Sequence, residues 1–161
     1  MNEIDKLILE KLKLNISNFR FENESKDYNA CQYKLNDFNI ISRNSKITPS
    51  KPGQFVTIWK RIKKGPIEPF HFKDKFDVII IKCQTKDNYG QFIFPKSILI
   101  SKKIISSDIT EGKRGFRVYP NWDKTTNNQA KRTQEWQLNY FLDLTNKNKI
   151  NFELALKLYS I

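Results

Sequence analysis

The sequence predicts an α+β domain with a central mixed or antiparallel sheet of about five or six strands, flanked by N- and C-terminal helices. Segments with helical spacing of apolar residues lie at both ends of the chain, and segments rich in β-forming residues lie between them. Residues 78–81 form a continuous apolar run, which is typical of a strand buried on both faces. A chain of 161 residues has the length of one ordinary domain, so we expect a single domain over residues 1–161.

Each predicted element follows from its local pattern. Residues 3–14 place apolar side chains at intervals of three and four, which indicates an amphipathic helix. Residues 31–35 and 38–43 are predicted to form a hairpin across Asn36 and Asp37. Further strands are predicted at residues 54–61, 76–83, 91–94 and 115–119, the last with Arg117 on its polar face. Helices are predicted from residue 127 onwards and over residues 151–159.

The positive charge is concentrated in two stretches of the chain. The net charge of +12 comes from 29 basic and 17 acidic residues. Residues 43–64, the first basic segment, contain seven basic residues and no acid, and residues 101–132, the second basic segment, contain eight basic residues and three acids. A lysine-rich composition alone would spread these charges evenly. If the fold brings both segments together, they form a basic face that suits a polyanion.

Several kinds of catalytic and metal site are not supported by the sequence. His71 is the only histidine, and we interpret it as a partly buried structural residue. No nucleophile-elbow, Walker A or dinucleotide-binding pattern is present. Cys31 and Cys83 lie too far apart in sequence for the usual zinc spacing, and free cysteines fit a reducing compartment. The sequence therefore predicts no metal and no cofactor.

One catalytic alternative stays open, a nuclease that uses Mg²⁺. Its candidate residues are Asp77, Lys96 and the N-terminal Glu24, because clustered carboxylates hold Mg²⁺ and a lysine stabilises charge on a phosphate. The structural interpretation, which we favour, is that Asp77 only marks the entry into the buried strand.

Basic and aromatic residues give the more favoured candidate site. Cations bind phosphates, and aromatic rings can stack on exposed bases. The candidate phosphate contacts are Lys46, Lys51, Lys60, Arg61, Lys113, Arg114 and Arg117, and the candidate stacking residues are Tyr119 and Trp122. The tryptophans are equally suited to anchor the core. The amides of Gln134 and Gln137 could contact base edges or tie a helix to a loop.

The sequence also resembles the MepB family over residues 28–141. The segments that carry the resemblance are KITPSKPGQFVTIWKR at residues 46–61, GQFIFPK at 90–96, GKRGFRVYP at 112–120, WD at 122–123, QA at 129–130 and TQEWQ at 133–137. The resemblance implies a fold similar to the restriction-endonuclease core, with DNA as the ligand. Gln91 stands where such a nuclease would have its second acid, so cleavage is not expected.

We therefore expect a nucleic-acid-binding protein that contacts phosphates through a basic groove without catalysis, with DNA favoured over RNA. The alternatives are the Mg²⁺-dependent nuclease and a binder of a small anionic ligand or an acidic protein. Acids near the start of the chain and the absence of a long apolar run favour a cytoplasmic location and no membrane contact.

Overall fold

The computed structural model describes residues 1–160. Its helices are α1 (Glu3–Lys11), α2 (Lys96–Ser101), α3 (Asn128–Leu138) and α4 (Phe152–Tyr159). Its strands are β1 (Ile16–Phe21), β2 (Cys31–Leu35), β3 (Phe38–Asn44), β4 (Lys46–Ile47), β5 (Gln54–Thr57), β6 (Trp59–Arg61), β7 (Ile67–Pro69), β8 (Val78–Gln84), β9 (Tyr89–Pro95), β10 (Gly115–Val118) and β11 (Phe141–Asp143). Short 3-10 turns lie at Lys26–Tyr28 and Lys147–Lys149.

A six-stranded sheet in the order β1-β2-β3-β8-β9-β11 forms the centre of the molecule. β3 and β8 pair in parallel, and every other neighbouring pair is antiparallel. The predicted α+β class with a mixed central sheet is therefore confirmed.

The central sheet is buried on both faces, as the apolar run in β8 predicts. Ile79 and Ile81 enter one core, which we call the upper core, together with Leu99 of α2 and Trp136 of α3. Ile80 enters the other core, the lower core, which also holds buried side chains of α1 and α4. Consecutive β8 residues thus point into opposite cores. Burial of each isoleucine stabilises the folded state by roughly 1.5–3 kcal/mol.

A three-stranded sheet in the order β10-β5-β4 brings the two basic segments together. Phe55 of β5 pairs with Arg117 of β10 on one side and with Lys46 of β4 on the other. Directly paired residues share a face of a sheet, so Lys46 and Arg117 lie on the same face, on either side of Phe55. A separate two-stranded sheet consists of β6 and β7.

The strand predicted over residues 54–61 is divided into two. Ile58 is fully buried, and its N–H donates to the carbonyl of Arg114 at 2.8 Å. After Ile58 the chain leaves β5, and β6 pairs with β7 instead of β10. Strand propensity identified the β-forming residues but contains no information on which partner each of them takes.

Five elements were missed, and one helix was predicted too long. Three of the missed elements are the strands β4, β7 and β11, which are only two or three residues long and so show no periodic pattern. β1 is an edge strand whose residues after Ile16 are exposed. Its sequence therefore lacks the regular apolar alternation that predicts a half-buried strand. The α2 helix begins at Lys96, directly after Pro95, where we expected only the end of a strand. The first helix ends at Lys11 and not at residue 14, because Lys13 adopts a φ of 54°. No helix within residues 1–160 has the length and apolar character needed to cross a membrane.

Candidate functional site

A polar groove of about 310 Å³ lies between the end of α2, β10 and the start of α3. We call it the α3 groove, and the residues that define it are Lys102, Lys113, Arg117, Tyr119, Gln129 and Trp136. Three of the residues predicted as binding residues, Lys113, Arg117 and Tyr119, therefore meet at one place.

A buried amide holds β10 against α3. Gln137 is fully buried, its Nε2 donates to the carbonyl of Arg117 at 2.9 Å, and its Oε1 accepts from the N–H of Tyr119 at 2.8 Å. The amide thus makes the two bonds that a neighbouring strand would make. Gln134 donates to the carbonyls of Pro120 and Asp123, each at 2.9 Å. Both amides tie the helix to β10 and the loop after it. Of the two roles considered from the sequence, base contact and attachment of a helix to a loop, these bonds correspond to the second.

A backbone donor of β10 points into the α3 groove. In an antiparallel pair, alternate residues direct their N–H and C=O groups to opposite sides. The bond from the N–H of Ile58 to the carbonyl of Arg114 fixes this alternation, so the N–H of Arg117 points away from β5. That N–H has no acceptor within residues 1–160, and it lies on the side of the strand that Gln137 also contacts.

The charged groups of the α3 groove are all positive. Lys102 and Lys113 are exposed side chains, and no carboxylate lines the groove among the described residues. The ammonium group of Lys102 lies 5.5 Å from the centre of the Trp136 ring, a cation–π contact that holds it at the groove. The start of α3 adds the positive end of the helix dipole. Asn127 caps this helix by accepting from the N–H of Ala130 at 2.8 Å.

The cations of the first basic segment are mostly neutralised. The Nζ of Lys60 lies 2.6 Å from Asp74 and 3.4 Å from Glu68. Arg61 contacts Glu24 at 2.8 Å, within a separate cleft of about 520 Å³ that is lined by both signs of charge. The remaining pairs of this segment are Lys46 with Asp27 at 3.8 Å and the fully buried Arg43 with Glu22 at 2.8 Å.

The basic segments therefore meet in one sheet but do not share one groove. The cations that line the α3 groove all come from the second basic segment. Lys51 is exposed on the loop before β5, and the guanidinium of Arg117 fixes that loop by donating to Thr48 Oγ1 at 2.6 Å and to the Pro52 carbonyl at 3.2 Å. Arg114 forms an exposed ion pair with Glu111 at 3.2 Å.

The two predicted stacking residues have different surroundings. Tyr119 lies at the α3 groove and packs over Gly53, where a Cβ atom would come within 2.6 Å of the tyrosine ring. Gly53 has a φ of 77°, so the close approach and the backbone conformation both favour glycine. Trp122 packs against the upper core, with its ring centre 5.6 Å from that of Phe141. Trp122 thus has the anchoring role that the sequence left open.

The candidate nuclease residues are engaged in structural contacts. Asp77 accepts from the N–H of Asn39 at 2.8 Å, and Glu24 is paired with Arg61. The Nζ of Lys96 donates to two backbone carbonyls, at 2.9 and 2.6 Å, and burial lowers the pKa of Lys96. Within residues 1–160 no group of three or more His, Cys, Asp or Glu side chains is placed to hold a metal ion. The Nδ1 of His71 accepts from the N–H of Lys73 at 3.1 Å, which fits its predicted structural role.

Lys102 and the start of α3 were not selected from the sequence. Lys102 belongs to the second basic segment but lies outside the glycine-flanked motif that drew attention to Lys113. The signal for the helix start was present, because an asparagine directly before an amphipathic segment is a typical N-cap.

The comparisons with known proteins agree with the resemblance seen in the sequence. The sequence profile of the MepB-like family matches residues 22–143. The crystal structure of MepB superposes with a TM-score of 0.78 and 30% identity, covering 89% of this chain and 97% of that chain. A more distant likeness is to a bacterial homing endonuclease, with a TM-score of 0.43 and 11% identity over 84% of this chain and 85% of that one. Comparison with curated proteins gave no match.

Proposed function

The chain belongs to the MepB-like family, and with this premise we propose that it binds nucleic acid by holding backbone phosphates in the α3 groove. One observation carries the proposal. Lys102, Lys113 and the free N–H of Arg117 converge where no carboxylate competes for them among residues 1–160. A phosphate accepts bonds from ammonium groups and from backbone N–H groups, and the start of a helix favours its charge.

The distribution of ion pairs supports this groove over the first basic segment. Four of the seven bases in residues 43–64 pair with carboxylates, whereas only Arg114 does so in residues 101–132. The exposed bases of the second segment that have no carboxylate within ion-pair distance in the described chain are Lys102, Lys103, Lys113, Lys124, Lys131 and Arg132. Free cations near the groove extend the surface that a polymer of phosphates would contact.

The decisive experiment measures binding of labelled duplex DNA between about 50 and 200 mM salt. Each phosphate contact contributes about −0.9 to the slope of log K against log salt. The double variant Lys102→Ala/Lys113→Ala should weaken binding and make the slope shallower by about 1.8. The matched control is Lys63→Ala/Lys64→Ala, which removes the same charge from exposed lysines of the first basic segment.

Equal losses in the two double variants would contradict the proposal, because net charge and not the α3 groove would then set the affinity. An RNA duplex of the same sequence tests the expectation that DNA is preferred. Duplexes of increasing length separate a polymer from a small anionic ligand, since only binding along a polymer strengthens as more phosphates come within reach.

A further inference from the structure

A second cavity, of about 320 Å³, lies beneath α1 on the other side of the central sheet. We call it the α1 cavity. Ile80 lines it and belongs to the lower core, whereas Trp136 of the α3 groove packs against the upper core. The α1 cavity is therefore separate from the proposed phosphate site, and the two share no lining residue.

Apolar side chains line much of the α1 cavity. Ile8, Leu35 and Ile80 line its interior, and each is at most 3% exposed. Phe19 and Phe21 lie at the cavity on β1 and are 51% and 66% exposed. Large aromatic side chains are rarely left so open beside a cavity unless the surface has an apolar partner.

The floor of the cavity is a buried polar network centred on Asp5, which is 6% exposed. Its carboxylate accepts from Lys82 Nζ at 2.8 Å, from the Tyr89 hydroxyl at 2.7 Å and from Gln91 Nε2 at 2.6 Å. The oxygen of Gln91 in turn accepts from the Tyr159 hydroxyl. This network explains why Gln91 is buried. In the sequence, Gln91 stood out only because it lies where a nuclease would have its second acid.

Lys82 retains unused hydrogen-bonding capacity at this floor. An ammonium group has three N–H bonds, and within residues 1–160 Lys82 donates to Asp5 alone. Tyr33 also lines the cavity, and burial raises the pKa of its hydroxyl. A smaller cavity of about 280 Å³ is also lined by Asp5 and Lys82, together with polar residues such as Asn2, Asn44 and Gln84.

We propose that the α1 cavity binds a small uncharged molecule with an apolar ring system and a carbonyl oxygen, the oxygen accepting a hydrogen bond from Lys82. The apolar side chains fit the ring system, and the free N–H groups of Lys82, whose side chain is 26% exposed, can donate to the carbonyl oxygen. The ligand is uncharged because Asp5 already balances Lys82, and a further charge would be buried without a partner.

The test is an NMR titration of the full chain with three probes that share one ring system, namely 2-naphthamide, 2-naphthoate and naphthalene. We expect 2-naphthamide to bind at least roughly tenfold more tightly than the other two, since a hydrogen bond to a charged group is worth about 1.5–3 kcal/mol. The shifted resonances should belong to the lower core and not to the α3 groove. Equal affinity for the three probes, no binding, or shifts confined to the groove would overturn the proposal.

Variants locate the site within the cavity. Ile80→Phe fills the apolar interior and should abolish binding of all three probes. Lys82→Met should lower the affinity for 2-naphthamide to that for naphthalene. Because this change leaves Asp5 without its cation, the double variant Asp5→Asn/Lys82→Met provides a second, uncharged version of the same test. Lys86→Met, on an exposed turn, is the matched control and should leave binding unchanged.

Discussion

At the scale of single residues, the structure separates cations that hold the fold from cations that can meet a ligand. Arg43 lies in the most basic stretch of the sequence, yet it is fully buried and makes two bonds to Glu22, at 2.8 and 2.9 Å. The sequence could not show this, because Glu22 lies 21 residues away, directly after the exposed edge strand β1. A charge count therefore located the basic segments correctly but overstated how much of the first one is free.

Removal of the partner of Arg43 should be costly. Glu22→Ala leaves a buried guanidinium without its counter-charge, and we expect the free energy of unfolding to fall by about 3–5 kcal/mol. Glu24→Ala, which breaks the partly exposed pair with Arg61, should cost at most about 1 kcal/mol. Urea unfolding of both variants checks the difference. Similar losses in the two would show that burial does not distinguish these pairs.

Gln137 gives a second prediction at this scale. Gln137→Leu keeps the approximate size of the side chain but leaves the N–H of Tyr119 and the carbonyl of Arg117 without partners. The free energy of unfolding should fall by about 3 kcal/mol, since each unsatisfied buried group costs roughly 1–3 kcal/mol. Gln129→Leu makes the same change at an exposed position of the same helix and should stay within about 0.5 kcal/mol of the parent chain.

At the scale of elements, local patterns predicted what each segment forms but not its partner. The hairpin of β2 and β3, the buried strand β8 and the amphipathic helices were predictable because apolar spacing alone defines them. The division at Ile58 and the pairing of β6 with β7 depend on contacts between segments that are distant in sequence. The α3 groove also depends on a contact between separate segments, because β10 and the start of α3 both line it.

The caps of α3 and α4 provide a matched test of the groove. Asn127 and Asn151 each accept a bond from the backbone N–H three residues later, at 2.8 and 2.9 Å. Replacement of either by alanine should lower the free energy of unfolding by about 1 kcal/mol. Only Asn127→Ala should also weaken DNA binding, because α3 alone begins at the groove. Equal affinity of both variants for DNA would exclude the start of α3 from the site.

At the scale of the whole molecule, the two cores share one sheet. Trp122 and Trp136 pack against the upper core, and within residues 1–160 no tryptophan packs against the lower one. The emission of Trp122 and Trp136 therefore follows the upper layer, and the third tryptophan, Trp59 on β6, packs against neither core. Far-ultraviolet circular dichroism follows all of the secondary structure. Because consecutive β8 residues anchor opposite layers, loss of one layer should remove the support of the other.

We therefore expect the two signals to give the same urea midpoint. Ile79→Ala, in the upper core, and Ile80→Ala, in the lower core, should each cost about 2–5 kcal/mol and shift both signals together. Separate midpoints for emission and circular dichroism, in the parent chain or in either variant, would show that the layers unfold independently.

The amide of Gln137 has a consequence for the behaviour of the protein at high concentration. An open strand edge can template a strand from another molecule, and such pairing leads to aggregation. Because Gln137 occupies the position that an incoming strand would take beside Arg117 and Tyr119, β10 cannot be extended there. The side chain of Gln137 thus blocks strand pairing at this edge of β10. A second copy of the chain cannot add a strand there, while the rest of the edge stays open to small solutes.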